Sequence, residues 1–188
     1  GLQPAHVWRT IDGGSQRYVR AMTDTFPCRT RLSTPVRAIS RDAEGVDLLV
    51  AGARRRYDHV VLACHADDAL RLLTDATDLE RRALGGFSYT ENAVALHTDA
   101  SLLPRRLAAR ASWNYRTHDC RGRGASLGMT FHLNRLQALD TPIDYCLSLN
   151  AGGIDPARVI REMTYAHPRY TFETLAAQEA TESLQGGR

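Results

Sequence analysis

Turn-forming residues recur at short intervals, and this spacing is the strongest constraint on the fold of the 188-residue chain. Clusters of Gly, Pro, Asn and Asp stand roughly 8 to 12 residues apart through most of the sequence, as in strand-rich folds. Short runs of β-branched and aromatic residues lie between them. Several helical patterns are also present, so we expect an α+β fold.

The first part of the chain predicts three strands in close succession, at 34–41, 46–50 and 57–63. The segments 42–45 and 51–52 between them contain glycines that suit tight turns. The third strand contains the apolar run Val60–Ala63, which is typical of a strand buried on both faces. The sequence therefore predicts a β-meander that leads into a buried strand. Helices are predicted around it at 15–25, 65–73 and 78–84.

The second part predicts a mostly antiparallel sheet with helices at its edge, and we place the division near residue 86. The predicted strands are 92–97, 109–115, 126–133, 145–149 and 161–165, with a helical turn at 134–139 and a closing helix at 171–184.

All 24 residues counted as Lys or Arg are arginine, and this absence of lysine excludes some chemistry. A Schiff base and a phosphate-loop lysine are both impossible within these residues. Arginine stays charged at working pH, so acid–base chemistry falls to other residue types. Genomic composition is an alternative explanation of the absence, and the chemical exclusion holds in either case.

Charge and hydropathy argue against nucleic-acid binding and membrane insertion. The net charge is only +3, and the short arginine runs have acidic residues nearby. A nucleic-acid surface normally needs a concentrated basic stripe. No apolar run approaches the roughly 20 residues of a membrane-spanning helix.

Cysteine spacing indicates free thiols. Cys28, Cys64, Cys120 and Cys146 form no C-x-x-C pair, which disfavours zinc fingers and redox dithiols. Such thiols suit a reducing compartment, so we expect a cytoplasmic protein. The cluster 118–120 (His-Asp-Cys) is a poor metal site because adjacent side chains point apart, and no metal is expected. The sequence contains no G-x-S-x-G, H-E-x-x-H or G-x-G-x-x-G motif.

Several segments, in collinear order, resemble a bacterial group of NAD/FAD-binding oxidoreductases in the flavin-containing amine oxidase-like superfamily. They are Val7–Val19, Thr34–Ile39, Gly45–Val46, Tyr57–Ala66, Leu96–Asp99, Ser112–Tyr115, Asn134–Gln137 and Tyr165–Pro168. The resemblance covers nearly the whole chain, which makes it more specific than any one motif.

The resemblance implies an FAD-binding domain interleaved with a substrate domain. By this resemblance, the backbone of Val36 contacts the adenine edge of FAD. Val60–Ala63 is similar to a later strand of the flavin domain, and its end, Ala63-Cys64-His65, is expected near the dinucleotide. The alternative for Val36 is an ordinary strand valine.

Trp113, Asn114 and Tyr115 are the candidate substrate-binding residues. Two large aromatics flank an amide that both donates and accepts hydrogen bonds. In a strand, Trp113 and Tyr115 share one face and Asn114 lies on the other. The alternative is core packing with a satisfied amide. The sequence singles out no catalytic residue.

Two departures from the resembled group predict that the chain is an internal segment of a longer protein. The N-terminal G-x-G-x-x-G unit and the segment that closes over the flavin after a Gln-Gly step are both missing. We therefore expect a partial FAD-binding domain at 1–86, a substrate-type sheet domain at 87–168 and a helix at 169–188 that returns to the flavin domain. The segment alone is expected to hold no stoichiometric flavin and to be inactive.

Two functions remain open at this point. The first is the central part of an FAD-dependent oxidoreductase, with hydride transfer from a small-molecule substrate of apolar or lipid character. The second is a non-catalytic binding or dimerisation domain. A fragment of this kind exposes apolar surface, so a homodimer or swapped self-association is also expected.

Overall fold

A computed structural model describes residues 9–117 and 128–184. The chain forms two compact units, Gly1–Cys28 with Glu91–Tyr165 and Arg29–Thr90 with Ala166–Arg188. The predicted division near residue 86 lies close to the change of unit at residue 90. It differs at residues 1–28, which group with the second half of the chain. Sequence order alone cannot show this, because the interleaving depends on long-range contacts.

The unit that contains residues 29–90 has a three-stranded antiparallel meander. Its strands are β1 (Val36–Arg41), β2 (Val46–Val50) and β3 (Ala53–Tyr57), in the order β1-β2-β3. The carboxylate of Asp42 accepts the N–H groups of Glu44 and Gly45, which fixes the first turn. A Cβ on Gly45 would lie 2.6 Å from the carbonyl oxygen of Tyr57, so this close approach requires glycine.

The predicted third strand at 57–63 is wrong. Ala51 and Gly52 both have positive φ, which gives a tight turn, and the chain pairs with β2 from Ala53 onward. Tyr57 lies opposite Val46, the first residue of β2, so residues beyond Tyr57 run past the end of their partner. Val61 is 89% exposed rather than buried. The apolar run at 60–63 therefore did not determine the pairing; the turn did.

Three helices pack in the same unit. They are α2 (Ala66–Leu72), α3 (Asp78–Gly85) and α5 (Phe172–Thr181). Helix α3 begins with a capping box, in which Thr77 and Glu80 each accept the backbone N–H of the other. The carbonyl of Ile39 accepts hydrogen bonds from the backbone and side chain of Thr74. Ile39, Val46 and Ala83 are fully buried, so the core lies between the meander and the helices.

The other unit is built on a five-stranded sheet in the order β5-β6-β7-β4-β8. Its strands are β4 (Tyr89–His97), β5 (Trp113–Arg116), β6 (Gly128–His132), β7 (Cys146–Leu149) and β8 (Val159–Pro168). The pairs β5–β6, β6–β7 and β4–β7 are antiparallel, as predicted. The predicted start of a strand at residue 109 is wrong, because Leu107–Ala109 form a 3-10 turn before β5.

The same unit contains the helices α1 (Ser15–Thr25) and α4 (Leu133–Gln137). Helix α1 has the predicted bounds, and the short α4 replaces the predicted turn at 134–139. The mixture of helices and antiparallel sheets confirms the α+β class. In the described ranges, no helix has both the length and the apolar character needed to cross a bilayer.

Candidate ligand-binding cleft

A cleft of about 770 Å³ lies beside β5 in the five-stranded unit. Arg9, Thr10, residues 108–113, Arg135 and Leu136 line it. Its wall combines small apolar side chains and the Trp113 indole with three arginines, and no carboxylate of residues 9–117 and 128–184 is among its lining residues. Its volume falls in the range of about 300–1,000 Å³ that is usual for small-molecule sites.

Arg110 is the fixed cation of this cleft. Its Nη1 donates to Asp144 Oδ2 at 2.9 Å, and its Nε donates to the carbonyl of Pro104 at 3.1 Å. The side chain is mostly buried. Because Asp144 balances its charge and two bonds hold it, Arg110 shapes the wall and contributes little net positive charge.

Asp144 also holds His132 at the end of β6. Its Oδ1 lies 2.9 Å from His132 Nε2, so one carboxylate joins His132 and Arg110. In the described part of the chain, His132 Nδ1 is a buried nitrogen without a hydrogen-bond partner. Since Nε2 needs its proton to donate to the carboxylate, a neutral His132 leaves Nδ1 as an unused acceptor.

Arg135 and Arg9 lie at the rim of the cleft with their charge unbalanced. Arg135 Nη1 donates to the carbonyl of Arg110 at 2.9 Å. Within residues 9–117 and 128–184, neither Arg135 nor Arg9 pairs with a carboxylate, and both are exposed. The rim therefore offers two guanidinium groups to an anion.

The structure separates the three predicted substrate-binding residues. Trp113 lines the cleft, and Tyr115 is exposed on the same face of β5. Asn114 points to the other face and is buried. Its Oδ1 accepts from Ala111 N, and its Nδ2 donates to the carbonyls of Ala111 and Thr130. A substrate would have to compete with these bonds, so substrate contact at Asn114 stays a prediction.

The predicted cofactor residues all lie in the other unit. Val36 opens β1 beside a register shift at 36–38, where a bulge leaves one residue outside the ladder. The residue outside the ladder is Arg37, whereas Val36 pairs with Val50, so the adenine contact at Val36 stays a prediction. Ala63, Cys64 and His65 are exposed. The His65 ring stacks on Tyr89 with centroids 4.3 Å apart, and Tyr89 Oη accepts the N–H of Ala66.

One group of three residues has metal-ligand geometry among the described residues. Ligand atoms of His65, Asp67 and Asp68 lie within 4.8 Å of one another at the start of α2. Both carboxylates also form ion pairs with Arg71 in the same helix. Arg71 and the helix N-terminus account for this arrangement without a metal. The cluster at 118–120, which its spacing makes a poor metal site, lies outside the described residues.

A serine–histidine pair in the sheet is a core feature rather than a nucleophile. His97 Nε2 lies 2.8 Å from Ser148 Oγ, which lies 2.7 Å from Thr130 Oγ1. His97 is 0% exposed, and burial lowers its pKa. Its Nδ1 accepts the N–H of Asp99, so the proton is on Nε2 and points at Ser148. Both side chains are almost fully buried, and both belong to the core of the sheet.

Sequence reasoning missed the arginines of the cleft. Arg9 and Arg135 lie inside two segments that carried the resemblance, yet neither was singled out. Three separate stretches of sequence meet at the cleft, and no local spacing signals that meeting.

Comparison with known proteins identifies the family. The family model described as flavin containing amine oxidoreductase matches residues 3–128, about two thirds of the chain. The chain therefore belongs to the flavin-containing amine oxidoreductase family, as the sequence resemblance implied. None of the curated protein sequences compared with the chain matches it.

Solved structures share the fold at low sequence identity. A CLA-producing fatty acid isomerase from P. acnes is 15% identical with a TM-score of 0.61, and the match covers 92% of this chain and 45% of that one. A putative protoporphyrinogen oxidase from Exiguobacterium sp. 255-15 is 14% identical with a TM-score of 0.54, covering 92% and 44%. The chain thus spans less than half the length of these two proteins.

Proposed function

We propose that the chain is the central part of an FAD-dependent oxidoreductase that accepts a hydride from a small-molecule substrate of apolar or lipid character. The observation that carries this proposal is the family-model match over residues 3–128. The chain also shares its fold with a fatty acid isomerase and with a putative protoporphyrinogen oxidase. FAD itself supplies the hydride-accepting ring, and the protein positions it and the substrate.

Within this proposal, the unit with the meander holds part of the cofactor. The backbone of Val36, beside the bulge of β1, contacts the adenine edge of FAD. The exposed segment Ala63-Cys64-His65 lies along the dinucleotide, and Tyr89 fixes the orientation of the His65 ring. The sequence has no G-x-G-x-x-G motif, so these 188 residues fit the adenosine part better than the pyrophosphate.

The substrate part of the proposal rests on the cleft beside β5. Trp113, Leu136 and the small side chains at 108–111 give it an apolar wall. Such a wall suits an apolar substrate body because burial of apolar surface drives binding. The described cysteines, Cys28, Cys64 and Cys146, are free thiols, which supports a reducing, cytoplasmic location as part of the same proposal.

The test compares two purified proteins. One is the 188-residue chain, and the other is a version extended on both sides along its parent reading frame. Each protein is denatured in acid, and the flavin released into the supernatant is measured. We expect stoichiometric FAD from the extended protein and none from the shorter chain. An extended protein that contains no flavin would overturn the enzyme proposal in favour of a non-catalytic domain. Stoichiometric flavin in the shorter chain would overturn the expectation of missing phosphate contacts.

The exposed aromatic surface near α5 favours self-association as a second property. Tyr170 is 93% exposed and Phe172 is 88% exposed, and they line a cleft with Phe87, Pro168 and Leu175. Exposed apolar clusters of this kind commonly mark interfaces. We propose a second copy of the chain as the occupant of this surface.

A further inference from the structure

The cleft beside β5 combines two recognition elements that ordinarily serve different ligands. Its walls at Trp113 and Leu136 are apolar, while Arg9 and Arg135 bring positive charge to its rim. We propose that this cleft binds an organic anion with an apolar body, a carboxylate on a hydrocarbon or aromatic frame. The assignment of this ligand as a substrate rests on the proposed flavin function, whereas the binding itself does not.

The excess positive charge of the cleft favours an anionic ligand. Asp144 neutralises Arg110, the deepest of the three cations, through a bond of 2.9 Å. Arg135 donates only from Nη1, to the carbonyl of Arg110. Its Nε and Nη2 have no partner among the described residues. These two donors have the spacing that a planar carboxylate accepts in bidentate fashion. Arg9 adds a second cation at the rim.

The framework behind Arg135 makes this site a fixed one. Arg135 lies in α4, where the side chain of Asn134 accepts the N–H of Tyr145 and donates to the carbonyl of Ile143. The bond from Arg135 to Arg110 O joins α4 to the segment before β5. The hydrogen bond to the backbone carbonyl of Arg110 restrains the guanidinium of Arg135 before any ligand arrives, which lowers the entropic cost of binding.

The Trp113 indole and the small side chains beside it favour a ligand with an apolar body. Ala108, Ala109 and Ala111 line the cleft together with the indole, and Leu136 lies one residue after Arg135. A ligand that places its carboxylate on Arg135 therefore has apolar surface directly beside that anchor. A compact inorganic anion would leave this wall wet, and an uncharged hydrocarbon would leave two guanidinium groups without a partner. Neither fits both elements.

The binding experiment uses tryptophan fluorescence of the 188-residue chain. The chain has two tryptophans, so Trp8→Phe leaves Trp113 as the single reporter. Decanoate is the probe, with decanol and acetate as the ligands that keep only its apolar body or only its charge. We expect saturable quenching by decanoate, with decanol and acetate each at least about tenfold weaker, the loss of one charge-assisted contact.

Two variants test the residues. Arg135→Gln is expected to weaken decanoate binding about tenfold and to remove its advantage over decanol. Arg9→Gln should weaken decanoate less and leave decanol unchanged, and it disturbs no hydrogen bond of the described fold. Arg161→Gln, an exposed arginine of β8 that does not line the cleft, is the matched control and should leave all three affinities unchanged.

Three results would overturn the inference. They are equal affinity for decanoate and decanol, no saturable binding at all, or an equal loss in Arg161→Gln and Arg135→Gln. Circular dichroism of each variant separates loss of binding from loss of folding, with Arg9→Gln as the second test if Arg135→Gln unfolds. Because no flavin takes part, these outcomes are distinct from an extended protein that holds no FAD.

Discussion

The guanidinium of Arg41, at the end of β1, holds the carboxylate of Glu80 in α3 through two parallel hydrogen bonds. Nη1 lies 2.5 Å from Oε1, and Nη2 lies 2.9 Å from Oε2. Arg41 also donates to Asp75 from its backbone and side chain. Both side chains of the pair are largely buried. The bidentate pair therefore joins the meander to the helical layer of the same unit.

Loss of charge at Glu80 should destabilise the protein. Glu80→Gln keeps the capping box, since Gln suits that position, but it removes the charge that Arg41 faces. We expect the free energy of unfolding to fall by about 1.5–3 kcal/mol, the usual contribution of a hydrogen bond to a charged group. Urea denaturation measures this change. Glu179→Gln, at an exposed position of α5, is the control and should leave the midpoint where it is.

The same pair predicts an acid limit of stability. Hydrogen bonding to Arg41 is the largest cause that lowers the pKa of Glu80 from 4.5 to about 2, and it outweighs the opposing effect of burial. The folded state therefore favours the charged form, and this contribution is fully present above pH 4.5 and is lost as the pH falls toward 2. The difference in stability between the parent and Glu80→Gln should shrink across this window. A difference that is constant from pH 6 to pH 3 would contradict the ion-pair explanation.

The buried His97 predicts a second pH dependence. Burial lowers its pKa below the ordinary 6.5, so the unfolded chain binds a proton more readily than the folded one. This contribution is present above pH 6.5 and is lost as the pH falls below it. Substitution of Ser148 by Ala removes the acceptor of the His97 proton and a partner of Thr130. We expect a loss of about 1–3 kcal/mol from that unsatisfied group.

Urea denaturation of Ser148→Ala between pH 8 and pH 5 checks this prediction. Ser88→Ala is the control, because Ser88 is exposed and its side chain forms no hydrogen bond in the described ranges. His97→Gln should abolish the part of the pH dependence that begins near the ordinary histidine pKa. If the parent and His97→Gln lose stability equally over that range, another group is responsible.

The sequence predicts best those helices and strands that have turn-forming residues at their ends. Helix α1 and strand β2 have the predicted bounds, since Gly and Pro punctuation stands at their ends. The apolar run at 60–63 does not form the predicted strand, because strand pairing depends on the turn before it and on the length of the partner strand. The cleft was only partly predictable. The sequence indicates Trp113 as a large aromatic in a short strand. The position of Arg135 in the same cleft depends on tertiary contacts between distant segments.

Gly86, which follows α3, predicts a steric test of helix packing. A Cβ at Gly86 would lie 2.5 Å from the Cβ of Ala177 in α5 and 3.2 Å from the carbonyl oxygen of Glu173. Neither atom is the end of a flexible side chain, so α3 and α5 must separate. We expect Gly86→Ala to cost about 1–3 kcal/mol, as overpacking usually does.

The neighbouring glycine provides the matched control. A Cβ at Gly85 would lie 3.7 Å from Leu70 Cδ2, an ordinary contact, and Gly85 is the last residue of α3. Gly85→Ala should therefore be neutral or stabilise the protein by up to about 1 kcal/mol, since alanine favours helix. Thermal denaturation of the two variants side by side measures the contrast. Equal melting temperatures for both would contradict the packing of α3 against α5.

The aromatic surface at Tyr170 and Phe172 predicts reversible self-association. The two side chains lie beside the start of α5 and are almost fully exposed. Burial of a large aromatic contributes roughly 1.5–3 kcal/mol, so a double substitution to serine should weaken a dimer through this surface by well over tenfold. Light scattering across a range of concentrations measures the mass. Leu32→Ser, at an exposed apolar residue that does not line the cleft of Tyr170 and Phe172, is the control and should keep the parent mass. A parent chain that stays monomeric at high concentration, or a double variant that associates like the parent, would show that this surface does not bind a second copy.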